Sequence, residues 1–392
     1  MDLSFIVQRA RLARIIAVAV VVTLVAIGLA ALVRTGPAAA ARHATVAESV
    51  LTLRTNGDHD ELWKLSTTGG AATKVGELPG SAAWTTASPD GTAVACLPVL
   101  GKPEVWIGYG PGAPKTISLQ QAGIKTLNYI SWTTESQLIV AGSKKAKDYM
   151  GYNDSLYLVD VGTGAVTPFR GLSGCQPSVS FATGKIVYVK FKKLDNGNKK
   201  NGYTPKYRES LILTTLNGSG AGTELAAQDY RPMADYRAFN WPQIAAGGFW
   251  VVYGQTGSDV SVTYNIALLG DAYVTDWIQM PQGTPPATGW APSSPLLAFG
   301  GQVTVSDSLK SCVYIADVDG GAIGRTGADV FSGAGAGFIE DLSWSDGTQI
   351  VVDAADMSAS DSSTEGIVML LDTKDLTKAT KLGAGHLSVW VR

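Results

Sequence analysis

The chain has 392 residues, of which 45% are hydrophobic and only 16% are charged, and its formal net charge is −2. This near-neutral balance argues against a nucleic-acid-binding protein, which would carry a strong basic excess. The 45 glycines indicate many short strands joined by turns.

The first predicted element is an apolar run of 19 residues from Ile15 to Val33. Its length is close to the ~20 residues that cross a bilayer as a helix. Arginines flank it, with an excess on the N-terminal side: Arg9, Arg11 and Arg14, then Arg34 and Arg42. We therefore expect a cytoplasmic segment (1–14), a single transmembrane signal anchor (15–33), a linker (34–48) and an extracytoplasmic body (49–392).

The alternative for this region is a cleaved signal peptide, which would make the body a secreted domain. Small residues at Ala38, Ala39 and Ala40 resemble a cleavage site. The apolar run is longer than the ~7–15 residues typical of a signal peptide, which favours the anchor. Both interpretations place the body outside the cytoplasm.

An aromatic residue then recurs along the body at intervals of 48, 49, 60, 49, 54 and 46 residues. The positions are Trp84, Trp132, Phe181, Trp241, Trp290, Trp344 and Trp390. Each lies in a short strand-like run, and a period of this length is typical of repeat architectures. We expect these aromatic side chains to pack between neighbouring repeats, with stacking on a ligand as the alternative.

The repeat is clearest in the unit that contains Trp132. Four predicted strands follow one another with turn residues between them: Leu127 to Thr133, Gln137 to Ser143, Ser155 to Val161 and Ala165 to Leu172. The three cysteines, Cys96, Cys175 and Cys312, fall in non-adjacent repeats, so we expect buried thiols and no disulfide framework.

Particular turn and strand motifs accompany the repeat. Trp84 is followed by Ser88-Pro89-Asp90-Gly91, and Trp132 by a later Leu-Tyr-Leu-Val-Asp (156–160) and a Thr-Gly turn. This setting resembles the TolB-type propeller repeat, a relative of the WD repeat, over about residues 49–392. The resemblance implies an all-β propeller that acts as a non-catalytic protein-binding platform. The additional α/β domain that precedes the propeller in TolB has neither room nor pattern in this chain.

The two ends of the body predict how the ring closes. Residues 49–55 and 61–67 look like the second and third strands of a blade without an inner strand, whereas Leu387 to Arg392 look like an inner strand with nothing after it. We therefore expect the C-terminal strand to complete the first blade, which removes exposed sheet edges. This arrangement predicts seven blades, with six as the alternative because the unit around Trp241 is irregular.

Strand alternation predicts where a binding surface lies. Connections between strands one and two, and between three and four, emerge on one face and are short. The other connections emerge on the opposite face and include the longest segments: Lys144 to Asp154, Lys192 to Glu209, Tyr230 to Asn240, Gln302 to Lys310 and Asp356 to Glu365. We call this the long-loop face. The segment that begins at Tyr230 mixes aromatic, arginine and methionine residues, as protein interfaces do.

The long-loop face is also predicted to be polarised, with lysines from the third and fourth repeats opposite Asp353, Asp356, Asp361 and Glu365 of the last repeat. The candidate partner-binding residues are Lys144, Lys145, Lys147, Lys199, Lys200, Lys206, Arg208, Tyr230, Arg231, Tyr236 and Arg237. The expected partner is a protein of the bacterial cell envelope. Anionic lipid or a wall polymer is the alternative for the lysines.

Catalytic and metal-binding patterns have little support in the sequence. The three histidines are His43, His59 and His386, without metal-ligand spacing, and there is no Gly-x-Ser-x-Gly elbow. Asn56 to Glu61 offers clustered oxygens, but an Asn-Gly turn is favoured over a calcium loop because the distal glutamate is absent. We expect no cofactor and no enzyme activity. A channel receptor for a small ligand or glycan, and an envelope hydrolase or lyase, are the alternatives.

Overall fold

In the computed structural model, residues 49–392 are described except for 149–150, 198–204, 219–221, 232–237, 257–261, 270–286, 307, 320–321, 328, 333–335, 346–347 and 357–365. The predicted anchor and linker lie outside these residues. Within the described part of the chain, no helix is long and apolar enough to cross a membrane.

The described strands form seven antiparallel sheets, which are the blades of a propeller. Blade 1 contains β1 (Ser49–Asn56), β2 (His59–Ser66) and β3 (Thr73–Glu77), together with the last strand of the chain. Blade 2 contains β4 (Ala82–Ala87), β5 (Val94–Pro98), β6 (Glu104–Tyr109) and β7 (Lys115–Ser118). Blade 3 contains β8 (Thr126–Trp132), β9 (Gln137–Ser143), β10 (Asp154–Asp160) and β11 (Val166–Ser173). Blade 4 contains β12 (Cys175–Ser180), β13 (Lys185–Lys193), β14 (Tyr207–Thr215) and β15 (Thr223–Tyr230).

Three further blades complete the ring. Blade 5 has three described strands, β16 (Phe239–Ile244), β17 (Trp250–Thr256) and β18 (Val262–Leu268). Blade 6 contains β19 (Thr288–Trp290), β20 (Leu296–Val305), β21 (Ser308–Asp317) and β22 (Ala322–Arg325). Blade 7 contains β23 (Ala336–Trp344), β24 (Gln349–Asp356), β25 (Ile367–Asp372) and β26 (Ala379–Ala384), and the chain ends with β27 (His386–Val391). Helical structure is limited here to one turn of α-helix, α1 (Asp329–Ser332), and 3-10 turns at Val99–Gly101 and Gln120–Ala122.

The ring closes through the C-terminal strand, as the sequence predicts. β27 pairs antiparallel with β1, so that Val50 lies opposite Trp390 and Leu51 opposite Val389. The C-terminus thereby supplies the inner strand of the first blade. Seven blades are confirmed, and the six-blade alternative is wrong.

Predictions of strand bounds, hairpin turns and buried cysteines are also confirmed. The four strands of blade 3 agree with their predicted bounds to within one or two residues. Asn56 pairs with His59 across a tight hairpin in which Gly57 takes a φ of 66°. Asp90 accepts hydrogen bonds from the Ser88 hydroxyl and the Thr92 amide, at 2.6 and 3.1 Å, which is the structural role expected of a turn aspartate. All three cysteines are free and buried.

The segment predicted as a loop from Gln302 to Lys310 is in fact a hairpin. β20 and β21 continue in register through it, with Gln302 opposite Ser311 and Val303 opposite Lys310. Main-chain pairing therefore extends to Val305, which lies opposite Ser308. Sequence patterning does not separate a polar hairpin end from a loop.

Four of the recurring tryptophans make the same hydrogen bond between blades. Each indole N–H donates to a carbonyl on the inner strand of the preceding blade, at 2.7–3.1 Å. The pairs are Trp132 with Thr86, Trp290 with Gln243, Trp344 with Gly289, and Trp390 with Ser343. We call this contact the indole latch. It satisfies the buried N–H that a tryptophan brings into a core and ties each such blade to its neighbour.

The other three aromatic residues of the series are not at the latch position. The exposed fractions of Trp84, Phe181 and Trp241 are 39%, 45% and 42%, so the expectation that they pack between blades is wrong. Strand register shows the reason. The latch tryptophan of blade 3, Trp132, lies opposite Leu138, which is the first buried residue of the second strand. In blades 2, 4 and 5 the same position is occupied by Ala87, Val179 and Ile244.

Buried carboxylates form a second set of contacts between blades. Asp60 accepts a hydrogen bond from the Ala82 amide at 2.8 Å, and Glu209 accepts one from the Phe239 amide at 2.9 Å. In both cases a third strand binds the inner strand of the following blade. At the closure, Asp353 of blade 7 accepts from the Ser388 amide of β27 at 2.5 Å. These acids satisfy main-chain donors that sheet pairing leaves unused.

The latch leads to a direct test by substitution. Trp132→Phe keeps an aromatic ring in the blade interface but removes the N–H, leaving the Thr86 carbonyl without its partner. Because Trp132 is fully buried, we expect a loss of about 1–3 kcal/mol in the free energy of unfolding, measured by urea denaturation. The matched control is Trp84→Phe, an exposed position, which should change stability by less than about 0.5 kcal/mol. Equal effects of the two substitutions would contradict the latch.

Candidate functional site

The lysines of blade 3 lie on the long-loop face, in the connection 144–153 between β9 and β10. Lys144, Lys145 and Lys147 are all exposed. Asp148 organises the loop beneath them, because its Oδ2 accepts from the Ser143 hydroxyl at 2.9 Å and from the Asn153 side chain at 2.8 Å. These bonds tie both ends of the loop to Asp148, and the three lysines are presented to solvent.

Two basic residues of blade 4, Lys206 and Arg208, are paired with acids on the neighbouring strand. Lys206 Nζ lies 3.2 Å from Asp229, and Arg208 lies 3.1 Å from Glu224 and 3.7 Å from Asp229. The charge of these two side chains is therefore largely compensated, whereas Lys192 and Lys193 at the end of β13 are exposed.

Asp195 holds the second long loop to the segment that follows β15. Its carboxylate accepts from the Lys206 amide at 2.8 Å and from both ends of the Arg231 guanidinium, at 2.6 and 3.1 Å. The Lys206 amide bond, followed by the Arg231 bond, lowers the pKa of Asp195 to about 2. Arg231 therefore joins two connections of the long-loop face.

Tyr230 lies half-buried beneath this surface, and its hydroxyl donates to the buried Glu209 carboxylate. Burial, together with the Glu209 charge, raises the pKa of this phenol. The structure thus gives Tyr230 a supporting role under the face rather than an exposed contact. The candidates Lys199, Lys200, Tyr236 and Arg237 lie outside the described residues.

An aromatic cluster on the same face was missed by the sequence argument. Tyr152 stacks on Tyr207 with ring centroids 4.8 Å apart and meets Phe191 edge-on at 5.0 Å. The three rings come from the blade 3 loop and from two strand ends in blade 4, so no sequence spacing links them. All three are half-buried, which leaves part of each ring accessible.

The predicted acidic arc of blade 7 differs from expectation. Asp353 is only 1% exposed and serves the closure contact with Ser388, so it presents no charge to solvent. Burial raises its pKa to about 6. The side chain of Asp356, and Asp361 and Glu365, lie outside what the structure describes.

Asp341 pairs with Asp353 across the strands of blade 7. Burial, and then the charge of Asp353, raise the pKa of Asp341 to about 8. His386 lies at the same seam, with its Nε2 3.9 Å from Asp60. Among the described residues, Asp353 Oδ1 and His386 Nδ1 are buried without a hydrogen-bond partner. Since Asp353 accepts the Ser388 amide of the closing strand, its protonation state is coupled to ring closure.

The central channel holds a cavity that the sequence argument did not locate. A cavity of about 410 Å³ is bounded by the inner strands of blades 2 to 5. Its walls include the two exposed indoles of Trp84 and Trp241, with Tyr129, Gln176 and Ser178 between them. Trp84, Tyr129, Gln176 and Trp241 all stand three residues before the latch position of their blades.

Backbone bulges turn these side chains toward the channel. The register shifts within β4, β8, β12 and β16 all fall beside the same position. Gln176 and Trp241 adopt positive φ angles of 52° and 43°, and Leu387 of β27 does so at the equivalent position with 50°. A left-handed conformation costs a non-glycine residue about 1 kcal/mol or more, and bulges of this kind re-aim side chains.

The spacing to the following strand could have revealed the two channel tryptophans. Trp132, Trp290 and Trp344 stand six or seven residues before the first buried residue of the second strand (138, 297 and 350). Trp84 and Trp241 stand ten residues before the corresponding residues (94 and 251). The additional three or four residues place these two indoles on the channel wall.

One group of three potential metal ligands is found among the described residues, His59, Glu61 and Glu77, with ligand atoms within 4.8 Å of one another. Lys74 already occupies this group, since its ammonium binds Glu61 at 2.7 Å and also binds Glu77. The Lys74 bond lowers the pKa of Glu61 to about 2. The group is an ion-paired sheet surface, and its carboxylates are already engaged.

A larger cavity of about 600 Å³ lies on the outer rim between blades 1 and 2. Its lysines are engaged, because Lys74 binds Glu61 and Lys115 binds the carbonyls of Val161 and Gly162 at 2.6 and 2.8 Å. The rim therefore offers fewer uncommitted groups than the channel or the long-loop face.

No family model matches the chain, and no curated protein matches it. Among solved structures it is similar to an uncharacterized protein from Listeria monocytogenes EGD-e, with 10% identity and a TM-score of 0.51 over 86% of this chain and 91% of that chain. It is also similar to TolB from Acinetobacter baumannii, with 14% identity and a TM-score of 0.41 over 92% and 86%. The WD40 domain of coronin from Toxoplasma gondii aligns with 11% identity and a TM-score of 0.48 over 88% and 79%.

Identities this low show nothing beyond the fold, and the fold itself is defined by the seven antiparallel sheets. The chain is a seven-bladed β-propeller.

The seam of blade 7 predicts a pH dependence of stability. Because the pKa of Asp341 is raised to about 8 when folded, its contribution to stability is full below about pH 4 and is lost as the pH rises toward 8. Asp341→Asn removes this titration. We expect the stability advantage of the variant to grow between about pH 5 and pH 8, by at most ~1.4 kcal/mol per pH unit. Thermal denaturation across this range measures it.

The control for this experiment has the opposite sign. The pKa of Asp195 is lowered to about 2, so Asp195→Asn should lower the melting temperature at neutral pH, and the loss should shrink below about pH 4 and vanish near pH 2. A difference between Asp341→Asn and the wild type that stays flat with pH would show that the Asp341 pKa is not raised.

Proposed function

We propose that this protein is a non-catalytic protein-binding propeller of the bacterial cell envelope, and that its partner docks on the long-loop face of blades 3 and 4. The observation that supports this most directly is the ordered aromatic and basic surface there. Tyr152 and Tyr207 form a stacked pair. The exposed lysines of the 144–147 segment lie on the same loop as Tyr152.

The composition of this surface matches that of protein interfaces. Aromatic and arginine side chains are enriched at the centre of such interfaces, and charged residues surround them. The Asp195–Arg231 contact holds two of the connections together, which reduces the ordering that binding would require. A partner with an acidic patch would be steered by Lys144, Lys145 and Lys147.

A binding role accounts for the unusual carboxyl groups better than hydrolysis does. Asp353 is buried and engaged with Ser388, and neither it nor Asp341 is among the described residues that line the channel cavity. A hydrolase or lyase would need a titratable pair facing its substrate. In this proposal the two carboxyl groups with raised pKa values, Asp341 and Asp353, belong to the closure of the ring and not to an active site.

The envelope location in this proposal is supported by the sequence. The apolar run 15–33 and the arginine excess before it favour an N-in, C-out anchor. The propeller would then stand outside the cytoplasmic membrane on the linker 34–48.

Site-specific photocrosslinking tests the docking face. A photoreactive phenylalanine analogue in place of Tyr152 is expected to yield a discrete protein adduct in intact cells. Reversal of Lys144, Lys145 and Lys147 to Glu should reduce that adduct about tenfold, equivalent to ~1.4 kcal/mol of binding. The matched charge control is Lys374→Glu with Lys378→Glu on the opposite face, which should leave the yield unchanged.

A second crosslinker position makes the test specific to one face. Thr163 is exposed in the turn between β10 and β11 of blade 3, on the short-turn side. The same adducts from Thr163 and Tyr152, or no adduct at Tyr152, would count against the long-loop face as the docking site.

The location is tested by protease protection of the full chain in spheroplasts. We expect the protein to sediment with membranes and keep its N-terminal segment, because 15–33 has the length of a bilayer span. External protease should digest a C-terminal tag and spare an N-terminal one. Recovery of the intact chain in the cytosol would contradict the proposal, and loss of the N-terminal segment would favour the secreted alternative.

A further inference from the structure

The channel cavity has features that partner docking on the long-loop face does not use. Trp84 and Trp241 expose 39% and 42% of their surface, whereas the latch residues Trp132, Trp344 and Trp390 expose 8% or less. Large aromatic side chains left accessible inside a cavity lose the stabilisation that burial would give. Their placement therefore points to a ligand that covers them.

The backbone holds these groups in place before any ligand arrives. The Trp241 amide donates to Gln176 Oε1 at 3.1 Å, and Gln176 Nε2 donates to the Tyr129 hydroxyl at 3.1 Å. This chain of bonds joins blades 3, 4 and 5 across the wall. Since Gln176 and Trp241 also occupy left-handed conformations, the wall is rigid and strained, which is typical of a preorganised site.

The chemistry of the wall is aromatic and polar but uncharged. Besides the two indoles and Tyr129, its described lining residues offer the amides of Asn128, Gln176 and Gln243 and the hydroxyl of Ser178. The described lining contains no Asp, Glu, Lys, Arg or His. A ligand that relies on charge would find no counterion among them.

We propose that this cavity binds a neutral saccharide, stacked on Trp84 and Trp241. A sugar ring presents a face of polarised C–H groups that suits the electron-rich face of an indole, and its hydroxyl groups suit amide and hydroxyl partners. The cavity volume of about 410 Å³ lies in the ~300–1,000 Å³ range of small-molecule sites. It has room for a short segment of a glycan chain.

The hydrogen-bonding groups between the two indoles determine how such a ring would be oriented. The Ser178 hydroxyl accepts from the Ile244 amide at 3.1 Å, so its own hydrogen remains to donate into the cavity. Gln243 is anchored by its Nε2 to the Thr288 carbonyl at 2.9 Å, which leaves its carbonyl oxygen as an acceptor. Donor and acceptor thus lie on adjoining blades, as recognition of sugar hydroxyls requires.

The test uses the full-length protein in a detergent without a sugar headgroup. The probes are neutral hexaoses of α- and β-linked glucose, mannose, galactose and N-acetylglucosamine, titrated at millimolar concentration. Tryptophan fluorescence and saturation-transfer NMR report binding. At least one hexaose is expected to bind, and Trp84→Ala and Trp241→Ala should each weaken that binding about tenfold or more.

Controls separate loss of the site from loss of the fold. Phe249→Ala removes an aromatic side chain that is 59% exposed on the turn between β16 and β17, outside the channel lining, and should leave binding unchanged. Trp84→Phe should bind more tightly than Trp84→Ala, because the phenyl ring can still stack on a sugar. All variants should keep the wild-type melting temperature.

Three results would overturn the proposal. The first is the absence of binding by every hexaose. The second is binding that persists in both alanine variants, which would place the sugar elsewhere. The third is binding of a tetramethylammonium probe in a Trp84- and Trp241-dependent manner while the sugars fail, which would make the pocket a cation cage.

Discussion

Closure of the ring is the constraint on which the rest of this structure depends. Blade 1 would lack its inner strand unless the C-terminal segment supplied it, and here β27 pairs with β1 to do so. The indole latches add side-chain bonds to the same junctions, including the closure itself, where Trp390 binds the Ser343 carbonyl of blade 7. The inner strands are therefore fixed both by main-chain pairing and by contacts between blades.

Fixed inner strands make the strained channel wall tolerable. Bulges and left-handed residues such as Gln176 and Trp241 would loosen an isolated strand. Here the residues that follow them are held by sheet pairing and by neighbouring blades, as when Trp290 of blade 6 binds the Gln243 carbonyl. Strain can then be concentrated on a few channel positions, where it directs side chains toward a ligand.

Electrostatics in this protein acts locally. Lys206 and Arg208 of blade 4 are compensated by Asp229 and Glu224, whereas Lys144, Lys145 and Lys147 of the blade 3 loop are exposed. Buried carboxylates serve the scaffold, because Asp60, Glu209 and Asp353 each bind a main-chain amide of the following blade. The long-loop face and the channel are thus two chemically different surfaces, one basic and aromatic, the other neutral and aromatic.

The repeat, the seven blades, the closing strand and the turn chemistry of residues such as Asp90 could be predicted from the sequence alone, because they follow from periodicity and from short-range hydrogen bonding. The lysines of the exposed 144–147 loop could also be found in this way. Only the fold shows which tryptophans are latches and which line the channel, since a bulge shifts the register without changing residue type. It also brought Tyr152 beside Tyr207 and buried Asp353 at the closure, because such neighbours come from strands that are distant in sequence and depend on how the blades pack.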